Sequence, residues 1–220
     1  SFNCNIYNKT LFEENNWRVP ENYEEFVALV QKINRTGIRG LRNCYFDSAS
    51  QSYQIYQYSV FSALDTLTQV DGQIWHNKLM SGETVSLNPM KTAFENMQRM
   101  MDIGAIKQED MSVPFNENIE AIANREVAIG GGEIDHIRTL NSSSKDTFCF
   151  MPHFSMTDGQ GWLLNLGYFF GANKDLQQPG NEKKLSAAME IMNFIASEEG
   201  QELLVEDGLG MMPATIDAEI

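Results

Sequence analysis

The sequence predicts an α/β fold. A short stretch with a period of two at 2–7 and short apolar runs at 127–129 and 148–151 alternate with longer stretches in which apolar residues recur every three to four positions. Asn, Pro and Gly punctuate the boundaries between them. Neither an internal repeat nor a low-complexity run interrupts the alternation.

Taken in order, Phe2 to Tyr7 alternates as a strand, and Lys9 to Asn15 reads as a short helix or turn. Val19-Pro20-Glu21-Asn22 is a helix entry. Glu21, Glu24 and Glu25 suit the positive end of the dipole, and Tyr23, Phe26, Val27, Val30 and Ile33 form one buried face. Gly37 and Gly40 are expected to end that helix before a strand over Leu41 to Phe46. The aromatic stretch Ser50 to Thr68 reads as a second helix, and Val70-Asp71-Gly72-Gln73 as a turn. Asn88-Pro89 reads as cap and first turn of a helix with a Phe94, Met97, Met100, Met101 stripe, stopped by Gly104. A short helix over 116–124 leads to the strand Val127-Ala128-Ile129, which runs into the glycines 130–132. Glu133 to Leu140 reads as helical. Phe148 to Met151 is a strand closed by Pro152, and Trp162 to Phe170 a strand or strand pair. Glu182 to Ser197 is an amphipathic helix with Leu185, Ala188, Met189, Met192 and Ile195 inside. Glu198 to Glu206 continues it until Gly208, Gly210 and Pro213.

The 220 residues are 42% hydrophobic and 21% charged, which is ordinary for one large domain or two small ones. The net charge of -14 argues against nucleic acid, since that partner requires clustered Lys and Arg, and no such cluster occurs. No run reaches the roughly 20 apolar residues of a membrane span. Cys4, Cys44 and Cys149 form no CxxC pair; one bridge with a free thiol and three thiols both remain open. The opening Ser1-Phe2-Asn3-Cys4 lacks the positive start and apolar run of a secretory signal, and the expectation is a fragment of a longer chain.

Few residues suggest catalysis. The triple glycine lacks the Lys-Ser/Thr of a P-loop and the spacing of a dinucleotide fingerprint. Glu133, Asp135 and His136 are close in sequence, but adjacent positions point to different sides of an element, and no HExxH motif occurs. A Gly-x-Ser-x-Gly elbow is absent, and nothing selects one pair among the 30 acids. The reading is therefore a non-enzyme with no cofactor and no metal. The aromatics say more. Tyr7, Tyr45, Phe46, Tyr53 and Trp162 sit at turns or element starts, where flat rings can line a concave site and stack on a ligand with apolar faces and a polar rim, as sugars have.

Three stretches in order resemble the carbohydrate-binding (maltodextrin-binding-like) family of extracellular solute-binding proteins of ABC importers. They are Tyr7-Asn8-Lys9-Thr10-Leu11-Phe12 with Val19 to Phe26, then Phe115 to Gly132, then Met192 to Gln201 with Gly208 to Pro213. Arg125-Glu126 stands where the family usually has Gly-Lys or Gly-Glu, and the Trp common after the glycines is absent. The resemblance implies a periplasmic-binding-protein-like lobe with a short mixed sheet flanked by helices, plus a C-terminal helical segment. Residues 1–160 would be the second lobe; 161–220 would be the crossover strand and the helices that pack on a first lobe. The implied function is non-catalytic capture of an extracellular solute, a sugar or oligosaccharide, for delivery to ABC importer permease subunits. The alternatives are another small polar solute or a carbohydrate-active enzyme fragment. The implied ligand-binding residues are Tyr7, Tyr53, Tyr56, Glu133, Ile134, His136 and Trp162. The implied location is extracellular, either membrane-anchored through a lipid on an N-terminal part outside this chain or periplasmic.

Overall fold

A computed structural model describes residues 2–43, 63–156, 160–161, 163–164 and 171–206. The chain runs β1 (Phe2–Asn8), α1 (Lys9–Glu14), α2 (Tyr23–Asn34), β2 (Arg39–Arg42), α3 (Leu64–Leu67), α4 (Val70–Met80), α5 (Lys91–Asp102), α6 (Phe115–Ala123), β3 (Val127–Glu133), α7 (Ile134–Ser143), β4 (Phe148–Met151), β5 (His153–Phe154), β6 (Gln160–Gly161), β7 (Leu163–Leu164), α8 (Glu182–Ala196) and α9 (Glu198–Glu206). Short 3-10 turns occupy Asn88–Met90, Gln108–Ser112 and Lys174–Gln177. The fold is mixed α/β. It divides into a compact unit of Asn3–Leu163 and a second comprising Leu164–Ile220 with the first two residues.

In the larger unit four strands lie in the order β2-β3-β1-β4. β2 and β3 are parallel, with Leu41 opposite Ile129 and Arg42 opposite Gly130. β1 runs antiparallel to both its neighbours, placing Tyr7 between Ile129 and Cys149, and Asn5 between Gly131 and Met151. Helices cover both faces, as the parallel pair requires. One core joins Tyr7, Leu41, Ile129 and Met151 to α2 through Phe26, Val30 and Ile33. The other joins Ile6, Val127 and Phe148 to Ile122 and Leu140.

Local chemistry places the elements. Asn22 caps α2 by accepting the Glu25 N–H at 2.9 Å. Asn8 caps α1 through the Leu11 N–H at 2.8 Å, and its amide donates to Asp146 at 2.6 Å, fastening the end of β1 to the β4 approach. Tyr23 donates to the Asn96 oxygen at 2.6 Å and carries the Arg99 guanidinium over its ring, which locks α2 to α5.

Several sequence expectations change. Gly130, Gly131 and Gly132 continue β3 beyond the expected Val127–Ile129 strand. A Cβ on them would lie 2.7 Å from Ile122 Cδ1, 2.8 Å from Asn43 Oδ1 and 2.2 Å from Ile6 Cδ1, so the absent side chains let the neighbours close in. Val70 to Gln73 begins α4 instead of turning, because Gly72 lets the helix press against the Thr66 backbone. Gly40 lies within β2 and does not end α2. The helix after Pro89 buries Ala93, Asn96 and Met100, whereas Phe94 and Met101 are exposed; the Tyr23–Asn96 bond draws a polar residue onto the inner face. Asn88 makes no side-chain cap and lies inside a 3-10 turn. α8 has the expected extent, but Met189 is exposed and Leu185, Ala188, Met192 and Ile195 are half-buried, because within its unit α8 packs mainly on α9 and the 174–177 turn. The readings over 50–62, 165–170 and 207–220 lie outside the described residues.

Candidate functional site

Parallel strands leave a crevice beyond their carboxyl ends, where the covering helices diverge. Here those ends are Arg42–Asn43 on β2 and Glu133 on β3, with the start of β1 beside them: Asn3 lies opposite Glu133. The sheet grades outward along one face. Leu41, Ile129 and Tyr7 form an apolar row in the core. The next row toward the carboxyl ends is Asn43, Gly131 and Asn5, and Asn5 meets His153 just past β4.

This second row is polar and ordered. Asn43 Oδ1 accepts the Gly131 N–H at 2.6 Å, so a side chain replaces the next rung of the β2–β3 ladder. The Asn5 amide donates to the Pro152 carbonyl at 3.4 Å and lies 3.3 Å from His153 Nδ1. Burial pushes the His153 imidazole down to about 3, so the ring is neutral at any ordinary pH. Arg42 points to the opposite face, donating to Asn118 Oδ1 at 3.0 Å and to the Glu117 carbonyl at 3.1 Å.

At the end of β3, Glu133 and His136 close the start of α7 upon themselves. The Glu133 carboxylate accepts from the third backbone N–H of the helix, and His136 Nδ1 accepts the Glu133 N–H at 3.1 Å. Glu133 and His136 thus lie together at the rim of the sheet where β3 ends, and Ile134 opens the helix between them. Tyr7 does not join them. It lies four residues back along β1, about 13 Å from the rim. Its ring is buried against Phe12 at a centroid distance of 4.7 Å, and burial raises its hydroxyl pKa. Tyr53, Tyr56 and Trp162 lie outside the described residues.

Sequence reasoning passed over Asn43, Asn5 and His153. The available signal was asparagine inside strands, where it is disfavoured unless its amide has work to do. Carboxamides and a neutral imidazole in this arrangement can hold hydroxyl and ether oxygens by hydrogen bonds without transferring charge. Among the described residues no group of three His, Cys, Asp or Glu could hold a metal ion, and no helix is long and apolar enough to cross a membrane.

A family model described as "Bacterial extracellular solute-binding protein" matches residues 2–219. No curated protein matches the sequence. Among solved structures, the chain is similar to a chitin oligosaccharide binding protein, with a TM-score of 0.70, 17% identity, and coverage of 99% of this chain and 53% of that one. It is also similar to a sugar transporter from Bacillus licheniformis in complex with stachyose, with a TM-score of 0.66, 14% identity, and coverage of 100% and 56%. A sugar transporter from Arthrobacter chlorophenolicus A6 with bound laminaribiose gives a TM-score of 0.65, 13% identity, and coverage of 96% and 50%. The chain spans about half the length of these structures. At such identities the likeness is one of fold.

Proposed function

The chain belongs to the bacterial extracellular solute-binding protein family, and on that premise we propose that it forms the second lobe of a receptor that captures a sugar or oligosaccharide outside the cell and delivers it to the permease subunits of an ABC importer. The observation that supports this most is a family match running from residue 2 to residue 219 in a chain half as long as the receptors it resembles. In this reading, 1–160 is one lobe and 161–220 carries the crossover and the helices that pack on the other. The half-exposed apolar face of α8, with Phe194 45% exposed, is the surface they would offer. A lipid on an N-terminal part would hold the receptor at the membrane.

The mechanism is capture without chemistry. The guest is held at the carboxyl ends of β2 and β3, with Glu133, Ile134 and His136 at the rim and the rings of Tyr53, Tyr56 and Trp162 as stacking surfaces. Tyr7 supports the floor from the core. Closure of the two lobes is favoured only by contacts made in the closed state. Micromolar affinity corresponds to roughly -8 kcal/mol. Each stacked ring adds about 0.5–1.5 kcal/mol beyond burial, so hydrogen bonds from the polar row must supply much of the rest.

The related structures with stachyose and laminaribiose favour an oligosaccharide guest over other polar solutes. A thermal-shift screen of the full-length protein tests the class. Stachyose, laminaribiose or chitin oligosaccharides at about 100 times Kd should stabilise it by about 2.7 kcal/mol. A shift given only by amino acids or peptides would overturn the saccharide reading.

A further inference from the structure

The polar row above the core has no side chain of its own at its centre. Asn43 just past β2, Gly131 on β3 and Asn5 on β1 lie side by side, and the Asn43 amide reaches over Gly131. Gly131 and Asn43 are half-buried, whereas Asn5 and His153 beside them are buried. A Cβ at Gly131 would reach within 2.8 Å of Asn43 Oδ1.

The orientation of the Asn43 amide is fixed by chemistry. A backbone N–H can only donate, so the atom 2.6 Å from Gly131 N is the oxygen. The two hydrogens on Nδ2 then face away from that bond, and no other hydrogen bond ties the Asn43 side chain among the described residues. Among the described residues this row carries no positive charge. Asn5 is neutral, His153 is neutral, and Arg42 is engaged on the opposite face of the sheet. Glu133 stands at the rim, and the whole chain carries a net charge of -14. A carboxylate or phosphate brought to this floor would lose water and gain no counter-charge.

We propose that Asn43 is a specificity-determining residue of the receptor: its Nδ2 hydrogens bond a hydroxyl or ring oxygen of an uncharged saccharide that rests on the half-buried Asn43 amide, and the absence of positive charge in the row beneath selects neutral over acidic sugars. This rests on the saccharide-capture reading and assigns the group within that site which sets ligand chemistry.

The test compares Asn43→Asp with Asn43→Ala in the full-length protein, titrated calorimetrically with stachyose, laminaribiose, chitin oligosaccharides and digalacturonate. The Asp variant keeps an oxygen for the Gly131 N–H and loses the two donor hydrogens; the Ala variant loses both functions. Both variants should lose about tenfold or more in affinity for the neutral saccharide, the Asp variant with its melting midpoint nearly unchanged. Gly131→Ala, whose Cβ would press on Asn43 Oδ1 and displace the amide, should show the same loss however the Asp variant folds. Wild-type affinity in Asn43→Asp or in Gly131→Ala would make Asn43 a tie for the strand and nothing more, overturning the inference while leaving saccharide capture intact. Tighter binding of digalacturonate than of any neutral saccharide would overturn the neutral floor. Failure of every saccharide to bind would remove the capture reading and the inference with it.

Discussion

Replacing Arg125 separates backbone strain from ion pairing at a position where the two oppose each other. Arg125 follows the end of α6 with φ +62°, a left-handed exit in which its N–H meets the Ile122 carbonyl and the Glu126 N–H meets that of Ala121. Glycine fills such positions without strain, and another residue costs about 1 kcal/mol. Arg125 holds the conformation because its guanidinium grips Asp146 with two bonds, at 2.7 and 2.6 Å, and Glu14 with two more, at 2.8 and 3.2 Å. Glu14 is half exposed, so its arm is screened and adds little. Asp146 is 9% exposed and keeps only the Asn8 amide when the cation goes. Arg125→Ala should therefore cost about 2–3 kcal/mol, from stranding the carboxylate with the strain retained. Arg125→Gly should cost about 1–2 kcal/mol, because the strain is relieved. The pH dependence has a definite sign. Arg125 first, and Asn8 after it, hold the Asp146 carboxyl below its ordinary range. That stabilisation is full above the unfolded carboxyl value and is lost as pH falls through the folded one. Urea denaturation should show the gap to wild type at neutral pH and its closure in acid. A glycine variant more stable than wild type, or a gap that ignores pH, would refute the reasoning.

Other substitutions test the packing and the ring assignments. Gly130→Ala puts a Cβ 2.9 Å from the Arg42 carbonyl and 2.7 Å from Ile122 Cδ1; backbone cannot yield as a side chain can, and a loss of about 2–3 kcal/mol is expected from the melting curve. Tyr23→Phe removes the buried bond to Asn96 and should destabilise by about 1–2 kcal/mol, read from the denaturation midpoint; an unchanged midpoint would dissolve the proposed α2–α5 lock. Trp162→Ala in the full-length protein should weaken saccharide binding severalfold if the ring stacks on the guest. Unchanged affinity would remove Trp162 from the site.

The elements were largely readable where a local rule acts alone. The strand β1, the helix entry over Val19 to Asn22 and the stop at Gly104 all occur as the sequence predicts. The errors arise where distant residues decide. The sequence shows a strand over Val127 to Ile129, yet β3 extends through the three glycines, where Ile6, Ile122 and Asn43 occupy the space side chains would need. The α5 stripe reads apolar, yet the hydroxyl of Tyr23 recruits Asn96 to the inner face. β1 alternates in sequence, yet Asn5, Ile6 and Tyr7 are all buried because helices cover both sides of the sheet. The same fact explains the site. The resemblance pointed to the rim through Glu133 and His136. Asn43 and Asn5 needed the strand register, since only pairing shows that they flank Gly131.

Titration of the full-length protein with a neutral oligosaccharide, followed by recovery of the ligand, tests the central claim most directly. The account predicts saturable binding at one site and return of the saccharide intact after release. Cleaved or modified sugar in the recovered fraction would contradict capture without chemistry, and the absence of any saccharide binding would contradict the receptor itself.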